Sequence, residues 1–288
     1  MVNRLQDVEI RPNGAPLGAE VLGLDGTRPL APELVLALKQ ALRDHHILIF
    51  KQQDLAEDQF KALATLFGPI FQNPPEVPVL ASGSQGVAPD IVRVSNVDGY
   101  TGTGELTPHI DHQWTPYPSA GSFLYALEVP VSADGGGNTT FYNMNLAFET
   151  LDAATKAHIQ SLQLITYNPF LRQPGDPHPR YRPEGQPLIS PTFAHPLVRT
   201  HPESGKKTLF LSYSSEVEVV GVPREEGIAL IEKLREHFHQ DRFRYEHAWS
   251  VGDIVYWDNQ AVLHARRKFD PSSRRVLKRI SIGGGKPF

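Results

Sequence analysis

Apolar positions along this chain recur in short runs, and the period of the runs changes from one stretch to the next. Val8 to Ile10 and Glu20 to Leu24 read as short strands around the turn Pro12-Asn13-Gly14. From Pro32 to Asp44 the period lengthens, and Leu34, Leu38 and Leu42, four apart, lay an apolar stripe on a helix. His46 to Phe50 is apolar without a break and suits a buried strand. Leu55 to Phe67 predicts a second helix, with Asp54 as N-cap, Glu57 completing a capping box and Gly68 as the stop. Residues 69–90, rich in Pro, Gly and Ser, predict a loop. Strands follow at Ile91 to Val97 and Ser122 to Leu127, then a helical stretch from Leu146 to Leu162 with a break near Asp152. Thr208 to Tyr213 predicts a strand, and Glu225 to His239 a clear amphipathic helix. Phe243 to Trp249, Asp253 to Trp257 and Val276 to Ile282 are strands again.

These strands are not separated by regular helices, which argues against a doubly wound parallel sheet. The pattern predicts a mainly β protein with flanking helices, a sandwich or jelly roll, with residues 1–288 as a single domain. Residues 168–192 hold seven prolines, and a loop this long in a compact domain is a candidate lid or binding loop. The competing reading is an ordered surface loop without a role.

Composition narrows the function. Net charge is −4, the isoelectric point is about 6.3, and no basic block occurs, which argues against a nucleic-acid partner. The absence of cysteine removes disulfides, thiolate metal sites and a cysteine nucleophile together. The segment MVNRLQDVEIRPNG lacks the apolar core of a secretory signal, and no apolar run reaches the roughly 20 residues a membrane span needs. A soluble, cytoplasmic globular protein is expected.

Candidate chemistry sits in Thr107-Pro108-His109-Ile110-Asp111-His112. On a strand, residues two apart face the same way, so His109 and Asp111 would aim a nitrogen and an oxygen at one point. The segment ending Val262-Leu263-His264 offers a third ligand. Two histidines and one carboxylate on one face of an octahedron leave three positions open, as non-haem iron(II) oxygenases require. A zinc site fits the same donors, and an isolated His-x-Asp triplet is a weak signal in a chain with twelve histidines. The arginines that follow His264 sharpen it. Most of Arg266, Arg267, Arg274, Arg275 and Arg279 should be solvated. Arg275 and Arg279, at and within the last strand, differ. A hairpin returning Arg275 beside His264 would place a guanidinium to hold a carboxylate, as the distal end of 2-oxoglutarate requires.

At this point the chain resembles the taurine dioxygenase / 2,4-dichlorophenoxyacetate dioxygenase family of Fe(II)- and 2-oxoglutarate-dependent oxygenases. The resemblance runs through Leu17-Gly18-Ala19-Glu20-Val21, Gly23-Leu24-Asp25, His46 to Gln53, Phe67-Gly68-Pro69 and Val94-Ser95-Asn96-Val97. It continues through Tyr125 to Pro130, Gly136-Gly137-Asn138-Thr139, Trp257-Asp258-Asn259 and Arg275 to Arg279. It implies a double-stranded β-helix (jelly roll, cupin-like) core. It implies iron(II) on His109, Asp111 and His264 as the catalytic centre, with Thr139 and Arg275 on the distal carboxylate of 2-oxoglutarate and dioxygen as co-substrate. Arg279 falls where the family places an arginine near the metal, against an anionic substrate group or the proximal carboxylate. The implied reaction is oxidation, most simply hydroxylation, of a C–H bond in a small anionic substrate, with desaturation or carbon–heteroatom cleavage as variants. Dimers and tetramers are common in the family. The chain departs from the pattern at Pro108, where tryptophan is usual, and at His112-Gln113-Trp114; His112 and Trp114 are expected to shape the substrate pocket. Two rivals remain: a zinc-dependent hydrolase on the same triad, and a non-catalytic cupin-like binder.

Overall fold

Two sheets face each other and enclose a strip of apolar side chains between them. In this computed structural model all residues are described except 1, 2, 6, 7, 83–85, 132, 133, 135, 172–178 and 187–190. The larger sheet runs Asn3–Leu5, Val8–Pro12, Ala19–Leu22, Ile47–Phe50, Ile254–Asp258, Gly121–Glu128, Val276–Ile282, Val92–Ser95. Its pairs are antiparallel except Ala19–Leu22 beside Ile47–Phe50. The smaller sheet runs Arg244–His247, Thr139–Asn143, Val262–Arg266, Leu106–His109, antiparallel throughout.

The two-residue period of a strand explains why this sandwich closes. Ile47 and Ile49, Leu124 and Ala126, Val255 and Trp257, and Leu277 share the strip with Phe141 and Val262 of the smaller sheet. The alternate residues, Leu48, Phe50, Phe123, Tyr125, Ile254, Tyr256, Ile280 and Ile282, form the other face, where the helices Pro32–His45 and Glu57–Thr65 lay down Leu34, Leu38, Phe60 and Leu63. Strands covered on both faces read as unbroken apolar runs, which is why Ile47–Phe50 shows no alternation. The outer face of the smaller sheet, with Tyr142 and Leu263, packs on a third cluster fed by the helices Met144–Glu149, Ala153–Ile159 and Arg224–Phe238. This is the jelly-roll core with flanking helices that the pattern implied.

Several expectations shift. The helix after residue 54 is capped by Ala56, whose N–H donates to Gln59 Oε1 at 2.9 Å, so Asp54 and Glu57 do not form the box. Asp152 does mark the break in the 146–162 stretch, and its carboxylate accepts from Thr155 N. The strand expected at Thr208 to Tyr213 ends at Leu209. Parts of the candidate lid at 168–192 lie outside the described residues; within it, Pro169–Leu171 form a short 3-10 turn. Among the described residues, no helix is long and apolar enough to cross a membrane.

Candidate metal centre and co-substrate pocket

His109 is the last residue of the Leu106–His109 strand, and its direct cross-strand partner is His264 in Val262–Arg266. Pairing sets the two rings side by side, with centroids 4.2 Å apart. Trp257 of the facing sheet packs on His264 at 4.6 Å and backs it. Asp111 is not on the strand. It opens the turn that follows, so the same-face argument for His109 and Asp111 does not hold. Convergence has another cause. The Asp111 carboxylate is brought to 3.8 Å from both His109 Nε2 and His264 Nε2, and the three donor atoms lie within 4.8 Å of one another. Among the described residues this is the single His/Asp/Glu group arranged to hold a metal.

The main chain of Asp111 is clamped by Asn259. Asp111 N donates to Asn259 Oδ1 at 2.9 Å, and Asn259 Nδ2 donates to the carbonyls of Asp111 and Ser119, both at 2.9 Å. A second segment braces the residues on either side of it: Ile110 N donates to Ser212 Oγ, Tyr213 N to the Pro108 carbonyl, and Ser212 Oγ to Gln113 Oε1. Arg235, wholly buried, ties that segment down through the carbonyls of Ser212 and Ser215.

The donors suit a divalent ion. The Thr107 carbonyl accepts from His109 Nδ1 at 2.8 Å, which puts the proton on Nδ1 and leaves the Nε2 lone pair for a metal. Burial pushes His264 down to about 3, so it stays neutral. Burial alone would raise the Asp111 carboxyl. The Arg279 guanidinium, with His264, His112 and His109, outweighs it and holds the group well below the usual carboxylate range. Arg279 Nη1 lies 3.3 and 3.4 Å from the two carboxylate oxygens, and Ser122 Oγ donates to Oδ2 at 3.0 Å.

Arg275 and Thr139 share one end of the interior, though not through a hairpin. Val262–Arg266 belongs to the smaller sheet and Val276–Ile282 to the larger, so the connection crosses from sheet to sheet. Arg275 is 2% exposed, donates from Nε to the Gly137 carbonyl, and has no acidic partner among the described residues. Thr139 Oγ1 accepts from Trp249 Nε1 at 2.9 Å, which leaves its hydroxyl proton free to donate. Of the arginines expected in solvent, Arg267 and Arg274 are exposed, while Arg266 is buried.

His112 is held with φ 60°, and its buried ring stacks on Phe71 at 4.1 Å and hydrogen-bonds Ser119 Oγ through Nδ1. Burial pushes it down to about 3. Trp114 donates Nε1–H to the Pro78 carbonyl and sets its ring near Phe170. Asn259, Ser122, Ser119 and Phe71 were not singled out from sequence. Asn259 had a signal, since Trp257-Asp258-Asn259 stood within the matched pattern.

The family model described as "Taurine catabolism dioxygenase TauD, TfdA family" matches residues 9–281. The alpha-ketoglutarate-dependent 2,4-dichlorophenoxyacetate dioxygenase of Cupriavidus pinatubonensis is 32% identical over 279 residues, covering 91% of this chain and 93% of that protein. An alkylsulfatase of Acinetobacter baylyi is 28% identical, covering 98% of this chain and 87% of its own. Among solved structures, a taurine dioxygenase from Burkholderia xenovorans superposes with a TM-score of 0.76 at 29% identity, covering 97% of this chain and 92% of that one. AAD-2 in complex with Mn(II) and N-oxalylglycine superposes with a TM-score of 0.77 at 28% identity, covering 97% and 98%. The chain belongs to the TauD/TfdA family, and with it to the 2-oxoglutarate-dependent non-haem iron dioxygenases, which use iron(II), 2-oxoglutarate and dioxygen.

Proposed function

We propose that this enzyme hydroxylates a C–H bond of a small anionic organic substrate, with release of succinate and carbon dioxide. His109, Asp111 and His264 hold the iron, and Thr139 and Arg275 hold the distal carboxylate of 2-oxoglutarate. The observation that carries this reading is the triad together with two buried arginines, Arg279 beside Asp111 and Arg275 without an acidic partner among the described residues. Iron with 2-oxoglutarate supplies the oxidising chemistry; the chain supplies position and polarity. Among the described residues only Nη1 of Arg279 is engaged, so the guanidinium keeps donors for a carboxylate, sulfonate or sulfate on the substrate. The relatives named as a 2,4-dichlorophenoxyacetate dioxygenase, an alkylsulfatase and a taurine dioxygenase support an anionic substrate and leave its skeleton open. His112 and Trp114, with Phe71 and Phe170, form an aromatic wall that is suited to select that skeleton.

The test is a screen of candidate acids for substrate-stimulated 2-oxoglutarate decarboxylation, read as succinate, with product structure deciding between hydroxylation, desaturation and cleavage. Asp111→Ala should abolish iron-dependent succinate formation, and retained turnover would sink the triad assignment. A neutral substrate turned over equally well by Arg279→Ala would remove the anionic requirement.

A further inference from the structure

The fate of Arg266 differs from what its sequence context suggests. It lies among charged residues, yet it is 5% exposed. Its register places it directly opposite Thr139, as His264 is opposite Phe141. Residues directly opposite in an antiparallel pair share a face. Phe141 belongs to the strip between the sheets, and the alternate residues Leu263 and Tyr142 belong to the outer cluster. Arg266 therefore stands on the interior face with His264 and Thr139.

Arg275 reaches the same place from the facing sheet, through its bond to the Gly137 carbonyl, and Arg267 N donates to the Asn138 carbonyl beside it. Two guanidinium groups thus flank the segment 137–139. Neither has an acidic partner among the described residues. The acid near this end, Glu246, sits opposite Thr140 on the other face and accepts from Asn138 Nδ2 and Arg267 Nη1. Arg266 itself is fixed: Nη2 donates to the Gly104 carbonyl and the guanidinium lies over the Phe269 ring at 5.3 Å. Its Nε and Nη1 are buried without a partner among the described residues.

We propose that Arg266 is a second positive charge of the co-substrate pocket, acting through its field on the distal carboxylate held by Arg275 and Thr139. This rests on the reading of that pocket given above. The physical case is the imbalance. Burying one unpaired charge is costly, and two of like sign repel in a medium that screens poorly. Arg275 is pushed down to about 9, by its burial and then by Arg266. A carboxylate entering the pocket relieves that repulsion, whereas a 2-oxo acid with an uncharged tail does not. Arg266 thereby favours 2-oxoglutarate over shorter 2-oxo acids without touching either.

The experiment uses the full chain loaded with Mn(II), which keeps turnover out of the readout, and titrates 2-oxoglutarate and pyruvate calorimetrically, pyruvate at millimolar concentration. A unit charge felt through an effective dielectric constant of about 20, at a separation on the order of 10 Å, changes an affinity by roughly tenfold. Arg266→Gln should weaken 2-oxoglutarate by about that factor and leave pyruvate nearly unchanged, while Arg266→Lys should keep most of the wild-type affinity. Unchanged 2-oxoglutarate binding, or equal weakening of both acids, would overturn the proposal and leave Arg266 as a tie between Gly104 and Phe269. Arg275→Leu separates the two levels. If it too leaves 2-oxoglutarate binding intact, the pocket assignment fails; if it weakens binding while Arg266→Gln does not, only the role of Arg266 fails.

Discussion

Replacing Asn259 by alanine should loosen the metal site without touching a ligand. The side chain is 1% exposed and holds three main-chain groups: the N–H and carbonyl of Asp111 and the carbonyl of Ser119. A buried polar group left without its partner costs about 1–3 kcal/mol. The lost carboxamide opens a space about the size of one water, which would rehydrate part of the set. The low end of the range, about 3 kcal/mol in all, is the reasonable expectation. For a chain of this length, with an unfolding entropy of about 2.1 cal/mol/K per residue, that lowers the melting temperature by about 5 °C. The second effect concerns aim. Partners that orient a ligand are typically worth about 10–100-fold in metal affinity, and here the backbone that carries Asp111 is what Asn259 orients. The assay is competition for Mn(II) or anaerobic iron(II) against a chelator, beside thermal unfolding of the metal-free protein. Gln260→Ala is the control, because Gln260 lies in the same turn but accepts from buried Arg199 at 2.7 Å. It should lower stability and spare the metal. If Asn259→Ala loses stability with metal affinity unchanged, the aim of Asp111 is set elsewhere and the reasoning is refuted.

Two further outcomes can be checked independently. Burial pushes His46 down to about 4, against roughly 6.5 in an unfolded chain. Between those values the unfolded state takes up a proton that the folded state refuses, so stability falls as pH drops through the window, by up to about 1.4 kcal/mol per pH unit. His46→Asn tolerates the left-handed backbone there (φ 61°) and should flatten the slope between urea midpoints at pH 7 and pH 5; an unaltered slope would assign that loss to other groups. Trp114→Ala should change which acids stimulate decarboxylation while leaving the 2-oxoglutarate requirement within about twofold of wild type, and an unchanged substrate profile would remove Trp114 from the pocket wall.

What could be read from the chain in advance divides along a physical line. Val276–Ile282 and the helix over 224–238 matched closely, because each has one consistent period over a long run. Thr139–Asn143 escaped notice, since it is buried on both faces yet rich in Thr and Asn, so neither alternation nor an apolar run marks it. Ala194–Pro196, Gln163–Thr166 and Val198–Thr200 are too short for any period to show. Residue type and spacing nominate the three candidate ligands, but a shared strand face does not bring His109 and Asp111 together. Their convergence depends on a strand that stops at His109, a left-handed His112, and an asparagine 148 residues away in sequence. Arg266 makes the same point for charge. Its neighbours Ala265 and Arg267 are buried in the outer face and exposed respectively, and nothing within the strand distinguishes a solvated arginine from one shut between two sheets. Spacing along a strand can nominate a metal ligand because coordination needs only a few donors of the right type. The field around that metal depends on which faces close on each other, and that is decided by chain segments far apart in sequence.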